Sequence, residues 1–254
     1  MGIDCRLLID PPASGVWNMA VDEVLLETAA QNNQATLRFY RWSAPTLSLG
    51  YFQDYADRFQ HPASRQATVV RRLTGGGAIL HDHELTYSLT APAGHLWVRE
   101  RDRLYATIHT ALIDALATRG VFAALCKPDA ARPAKGEPFL CFQRRALGDV
   151  LVGDTKVAGS AQRRRRGAVL QHGSVLLARS AAAPELDGLS ELTGRPVGDA
   201  ELAAAWLPQL MARLAADWRR DELSPQQRAQ INALSTNRYA TSVWTEHRGR
   251  DRLD

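Results

Sequence analysis

The sequence predicts an α/β protein in which helices and short strands share one chain. Apolar residues recur at helical spacing in several stretches, and β-rich runs bounded by turn residues lie between them. With 254 residues, 45% hydrophobic and 23% charged, the composition is that of an ordinary globular protein. A chain of this length can bury a core without a metal or a disulfide staple.

Arg6 to Asp10 reads as a short strand. Ser14 is placed to cap a helix through about Ala30, in which Met19, Ala20, Val24, Leu25 and Leu26 form an apolar stripe. Thr36 to Tyr40 and Thr46 to Tyr51 are β-rich runs around Trp42, Ser43, Ala44 and Pro45, and they predict a hairpin. Asp54 to Phe59 predicts a short helix, Thr68 to Arg72 a strand, and Thr74 to Gly77 a glycine turn. A strand pair follows around Ala78 to His81 and Leu85 to Thr90. Leu96 to Arg119 is helical, with Leu104, Ile108, Leu112, Ile113 and Leu116 on one face and Gly120 as the C-cap. Lys127 to Pro138, rich in Pro and Ala, reads as a loop. Asp149 to Val152, Lys156 to Ala161 and Ala168 to Leu177 read as strands, the last two joined by Arg163 to Arg166. From about Ala183 the chain is helical, and residues 1–254 are expected to form one domain with no repeat.

The net charge of +4 is too small to mark a nucleic-acid binder. The basic residues are 28 arginines and three lysines, Lys127, Lys135 and Lys156, so each retained lysine draws attention. Three cysteines, Cys5, Cys126 and Cys141, are too few for a secreted disulfide framework and point to a reducing compartment. No apolar stretch is long enough to span a bilayer, and Asp4 and Arg6 stand where a signal peptide needs its apolar region. A cytoplasmic protein is expected, with no membrane and no nucleic-acid partner.

Three segments and one cysteine carry chemistry. Arg71, Arg72, Leu73, Thr74, Gly75, Gly76, Gly77, Ala78, Ile79, Leu80, His81 sets two guanidinium groups before three glycines, either an anion or ligand cradle or a tight turn beside solvated charges. Gly153 to Gln162 carries Lys156 ahead of Gly159, Ser160 and Ala161, either an ammonium at the rim of a cavity kept open by small side chains or a surface lysine after a turn. Leu170 to Leu177 holds His172 and Gly173 inside a strand-like run, where a glycine costs stability unless something packs closely on it. Cys141 lies fifteen positions before Lys156, flanked by Phe139 and Phe142. It is either a small buried hydrophobe or a thiol whose thiolate an ammonium would favour. Cys5 and Cys126 read as packing residues.

Arg71 to His81 followed by Glu84 to Ser88, together with Lys156 to Gln162 and Leu170 to Leu177, resembles the catalytic domain of the biotin/lipoate protein ligase superfamily. Arg38, Phe39 and Tyr40 with Pro45 to Gly50 are similar to that family's first hairpin, so the likeness extends over about 150 residues. The resemblance is greatest to octanoyltransferases and lipoate-protein ligases. It implies a class II synthetase-like fold of mainly antiparallel sheets with helices packed outside, enclosing an acyl pocket. It further implies Cys141 and Lys156 as catalytic residues and a substrate-binding set of Arg71, Arg72, Gly75, Gly76, Gly77, His81, Gly159, Ser160, Ala161, His172 and Gly173, with no metal.

Two mechanisms exist in the family. Octanoyltransferases take the acyl group from acyl carrier protein through a cysteine thioester, without ATP; ligases form an acyl-adenylate with ATP and magnesium. Cys141 falls where the longer octanoyltransferase type has its nucleophile, although Gln143, Arg144 and Arg145 depart from that group's pattern. The resemblance therefore implies transfer of an octanoyl or lipoyl group from acyl carrier protein to lipoyl domains of 2-oxoacid dehydrogenases or the glycine cleavage H protein. The alternative is an ATP-dependent ligase in which Lys156 and Arg71 hold the adenylate phosphate.

Overall fold

Alternation along the strands and helical stripes between them build a layered molecule, and the computed structural model describes residues 4–128 and 138–248. The chain runs β1 (Asp4–Ile9), α1 (Gly15–Gln31), β2 (Gln34–Tyr40), β3 (Thr46–Leu49), β4 (Thr68–Arg71), β5 (Ile79–His81), β6 (Glu84–Ala91), α2 (Leu96–Arg99) and α3 (Arg101–Ala117). It continues with β7 (Ala124–Leu125), β8 (Val150–Val152), β9 (Thr155–Arg165), β10 (Ala168–Leu176), α4 (Leu189–Thr193), α5 (Asp199–Leu214), β11 (Arg219–Arg220), α6 (Pro225–Leu234) and α7 (Ser242–His247). Ser14 caps α1 by accepting from the Trp17 amide. The predicted helix over Leu96 to Arg119 is broken into α2 and α3 at Glu100, and Gly120 takes a left-handed φ of 74° just beyond it. Most of the predicted loop from Lys127 to Pro138 lies outside the described residues.

The large sheet has the order β11-β1-β2-β6-β10-β9-β8-β7, antiparallel except where β1 lies parallel to β2 and to β11. A small sheet, β4-β3-β5, stacks beside it. Successive side chains on a strand point to opposite faces. On the large sheet Leu37, Phe39, Leu85, Tyr87, Leu89, Val169 and Val175 face α3 and α5, packing with Leu104, Ile108, Leu112, Trp206 and Leu210. Each such fully buried side chain is worth roughly 1.5–3 kcal/mol of transfer. The intervening residues Arg38, Tyr40, Thr86, Ser88, His172 and Ser174 are polar yet buried, and they face α1 and the cavity described below. The stretch after Ala183 carries α4 to α7 and β11 joined by irregular connections, and it contributes Trp206 to one core and Ile231, Tyr239 and Trp244 to the core around α1. No helix among the described residues is long and apolar enough to cross a membrane.

The expected β2–β3 hairpin does not form. Both edges of β2 are occupied, by β1 and by β6, so β3 leaves for the small sheet and pairs with β4 and β5. Trp42 anchors the departure through a bridge to Ala13 and an indole N–H donated to Thr86 Oγ1 at 2.8 Å. For the same reason β5 and β6, read as a pair, sit in different sheets. The run Arg163 to Arg166 is not a turn: its first three residues extend β9, and Arg166 and Gly167, with φ of 48° and 81°, make the reversal.

Candidate active site

The cavity opens between the two sheets and has a largely apolar wall. Tyr40, Trp42 and Met19 line it on the α1 side, and Cys141, Lys156, Gly75, Gly76, Gly159 and Ala161 also face it. The register pairs Gly159 with Ser174 and Ala161 with His172, and directly paired residues share a face, so these four line the wall together.

Cys141 reaches the cavity because the chain after the triple glycine captures its segment. Ala78 N–H donates to Phe139 O at 3.1 Å, and Cys141 N–H donates to Ala78 O at 2.7 Å. A one-turn 3-10 helix over Cys141–Gln143 then starts at the cysteine, which is partly exposed while Cys5 and Cys126 are buried. Lys156 Nζ stands 3.7 Å from Cys141 Sγ, 3.4 Å from Cys141 O and 5.4 Å from the Phe142 ring centroid. The same ammonium makes a 2.8 Å ion pair with Asp149 Oδ2, both partners being buried.

Asp149 was not singled out by sequence reasoning, and it organises the back of the site. Oδ2 accepts from Ala146 N–H at 2.7 Å and Oδ1 from the Tyr105 hydroxyl at 3.2 Å. Behind it, burial pushes His109 down to about 4, so the ring is neutral at pH 7. Its Nδ1–H donates to Gly148 O at 2.6 Å, which leaves Nε2 to accept from the Ser160 hydroxyl at 2.6 Å. Ser160 Oγ in turn accepts from Tyr87 OH at 2.7 Å, and the Tyr87 oxygen accepts from Gln171 at 2.7 Å. The signal that could have found Asp149 was its place seven residues before Lys156, across a hairpin closed at Gly153; Tyr105 and His109 come from α3 and gave none.

The glycines have distinct duties. A Cβ on Gly159 would lie 2.7 Å from Lys156 Cε and 2.9 Å from Nζ, so its absence makes room for the ammonium. A Cβ on Gly173 would meet Ser160 Oγ at 2.2 Å and Gly159 O at 2.5 Å. Gly76 has a φ of 94°, which a glycine adopts without strain. The amides of Gly75, Gly76 and Gly77 are engaged by no protein acceptor among the described residues.

The two arginines do not act as a ligand fork. Arg71 turns away from the cavity: Nη1 donates to the carbonyls of Gly50, Tyr51 and Gln53, and Nε to Thr245 O. Arg72 lines the cavity but its donors fold the glycine turn, reaching Ser48 O, Ser48 Oγ, Thr74 Oγ1, Gly75 O and Gly77 O between 2.7 and 3.2 Å. Burial, with the neighbouring Arg71 adding to it, lowers Arg72 to about 10. His172 also lines the wall with both nitrogens engaged, Nε2 with Thr74 Oγ1 at 2.7 Å and Nδ1 with Asp22 at 3.0 Å. Burial opposes the charge of Asp22, but His172 and the Arg38 guanidinium outweigh it and hold Asp22 below its ordinary value. His81 stacks on Trp42 at 3.9 Å, and burial lowers it below the ordinary imidazole value.

Residues 14–190 match the family model described as the lipoyl protein ligase A/B catalytic domain. The chain is 38% identical over 176 residues to octanoyltransferase LipM of Oceanobacillus iheyensis, which covers 67% of this chain and 63% of that relative. It is 30% identical over 268 residues to octanoyltransferase LipM of Anoxybacillus flavithermus, covering 94% of this chain and 96% of the relative. Among solved structures, the bipartite lipoate protein ligase of Thermoplasma acidophilum superposes with a TM-score of 0.77 at 22% identity, covering 99% of this chain and all of that one. A lipoate-protein ligase A bound with ATP superposes with a TM-score of 0.74 at 22% identity, over 97% and 99% of the two chains. These likenesses concern the fold, while the domain match and the LipM identities settle kinship: the chain belongs to the lipoyl protein ligase A/B catalytic domain family.

Proposed function

We propose that this chain transfers an octanoyl group from acyl carrier protein to a lysine of a lipoyl domain through a thioester on Cys141. One observation carries the reading: the Lys156 ammonium stands 3.7 Å from the Cys141 sulfur beside a largely apolar cavity. Kinship to octanoyltransferases along nearly the whole chain supports it.

The Lys156 ammonium stands beside the nucleophilic sulfur. Sulfur attacks the thioester carbonyl of the loaded carrier, and the oxyanion forms near the unengaged amides of Gly75 to Gly77, where a donor is worth about 3 kcal/mol. Collapse expels the carrier's thiolate, which takes a proton from Lys156. In the second half-reaction the acceptor lysine amine attacks the acyl group on Cys141; the C–N bond forms as the C–S bond breaks. The surplus proton returns to Lys156, and the Asp149 carboxylate holds the restored ammonium in place. Neither ATP nor magnesium enters this cycle. The Arg71 guanidinium, which the ligase reading assigns to a phosphate, donates to backbone carbonyls instead.

The acceptors are lipoyl domains of 2-oxoacid dehydrogenases or the glycine cleavage H protein. The arginine run contributes less to docking than its charge suggests. Arg165 pairs with Glu23 and Glu27 and Arg164 donates to Val98 O, so Arg166 at the turn and Arg163 beside Tyr51 remain to meet an acidic partner.

The test is transfer from octanoyl carrier protein to a purified lipoyl domain, with and without ATP, for wild type and Cys141→Ser. Transfer without ATP that disappears in the serine variant supports the reading. Modification only from free acid and ATP, with Cys141→Ser fully active, establishes the ligase alternative.

A further inference from the structure

Besides the Cys141–Lys156 pair, the cavity wall carries a second nucleophile with its own base. Ser48 Oγ lies 2.7 Å from His81 Nε2, and His81 Nδ1 lies 2.7 Å from Glu84 Oε1. Donors and acceptors fix the direction of the chain. The Glu84 carboxylate accepts from the Ser174 hydroxyl at 2.9 Å and from Thr86, so it also accepts from His81 Nδ1–H. His81 Nε2 is then an acceptor, and Ser48 gives it the hydroxyl proton. Ser48 Oγ in turn accepts from Arg72 Nη1 at 3.2 Å.

All three members are buried, Ser48 at 0%, His81 at 4% and Glu84 at 2% exposure, while Ser48 and His81 also line the cavity. The imidazole is held face to face with Trp42, so its rotamer is locked. Burial keeps His81 neutral at rest, the state a general base needs. One guanidinium spans from this serine to the glycine turn: Arg72 bonds Ser48 Oγ on one side and the carbonyls of Gly75 and Gly77 at 2.8 and 2.7 Å on the other. The same guanidinium thus ties the serine to the glycine turn. Nucleophile, base and orienting carboxylate are the parts of a hydrolytic triad.

We infer that Ser48, His81 and Glu84 form a hydrolytic triad acting on medium-chain acyl esters and thioesters bound in this cavity. The inference rests on the acyl-binding reading of the same cavity. Ser48 Oγ attacks the acyl carbonyl as its proton passes to His81 Nε2, and the departing thiol or alcohol leaves with that proton. Water then attacks the acyl-serine, giving its proton to His81; the C–O bond to Ser48 breaks, the serine recovers the proton, and a free carboxylic acid is released. The sum is acyl thioester plus water giving acid plus thiol. Such a side activity drains acyl groups that no acceptor collects.

The test uses Cys141→Ser protein, in which a cysteine thioester cannot form. With p-nitrophenyl octanoate as the probe, hydrolysis is expected and is lowered at least about 100-fold in Cys141→Ser/Ser48→Ala. An octyl fluorophosphonate is expected to label Ser48 of the wild-type chain, identified by peptide mass, which needs no variant to fold. Hydrolysis unchanged by Ser48→Ala in protein of wild-type melting temperature, or a fluorophosphonate that leaves Ser48 unlabelled, overturns the inference. Acyl transfer by the wild-type chain is scored separately by mass on the lipoyl domain, so loss of the triad and loss of the transferase give different results.

Discussion

Gly159→Ala separates the position of the ammonium from the stability of the fold. The added Cβ would lie 2.7 Å from Lys156 Cε, 2.9 Å from Nζ and 3.0 Å from Asp149 Oδ1. Carbon atoms rest at roughly 3.5–4.0 Å, so Cε has to retreat by about 1 Å. What is displaced is the end of an unbranched side chain rather than backbone, and alanine loses less conformational freedom on folding than glycine. Stability is therefore expected to change by no more than about 1 kcal/mol, or roughly 2–4 °C in a domain of this size. A displacement of about 1 Å at the reacting centre costs on the order of 100-fold in rate. Single-turnover acylation of Cys141 by octanoyl carrier protein, quenched and read by intact mass, measures the rate; a thermal melt measures the fold. Acylation within about threefold of wild type would refute the claim that Lys156 must stand where it does, and loss of a cooperative melt would refute the claim that its end yields cheaply.

Gly173→Ala is expected to act oppositely, because its Cβ meets the Gly159 carbonyl at 2.5 Å and Ser160 Oγ at 2.2 Å. Backbone has to move, and urea unfolding is expected to show a loss of about 1–3 kcal/mol. Arg71→Ala removes four bonds to buried or part-buried carbonyls and is expected to cost about 3 kcal/mol in denaturant unfolding, with the KM for octanoyl carrier protein unchanged in the folded fraction. A raised KM at unchanged stability would return Arg71 to substrate binding. His109 gives a pH signature: its ordinary value is 6.5 and its folded value about 4, so below 6.5 the unfolded chain binds the extra proton and stability falls as pH drops towards 4. The separation amounts to roughly 3 kcal/mol, and His109→Gln is expected to flatten melting temperature against pH across that window.

Local features of the site were legible where chemistry leaves a local mark. Lys156 was distinctive in an arginine-rich chain, Gly159 keeps clear the space beside it, and Cys141 with its two phenylalanines stood at a fixed interval. The capping serine of α1 and the β9–β10 hairpin could be read from turn residues and alternation. Pairing across the chain could not. A β-rich run does not reveal that β2 already has two neighbours, so β3 was assigned to the wrong sheet. Charge type does not reveal direction either: Arg71 and Arg72 were both given to the ligand, although consecutive residues of an extended chain point to opposite sides. Asp149, and Tyr105 with His109 on α3, converge on Lys156 and Ser160 from two separate stretches, a meeting that exists only in three dimensions. The Ser48–His81–Glu84 chain was hidden similarly, since β3 and β5 had to pair before Ser48 could meet His81.

The most direct measurement is the mass of the protein after brief exposure to octanoyl carrier protein with no acceptor present. One octanoyl adduct, mapped to the peptide containing Cys141 and released by neutral hydroxylamine, is the expected result. A protein that passes the octanoyl group on to a lipoyl domain yet never carries it on Cys141 would contradict the covalent relay.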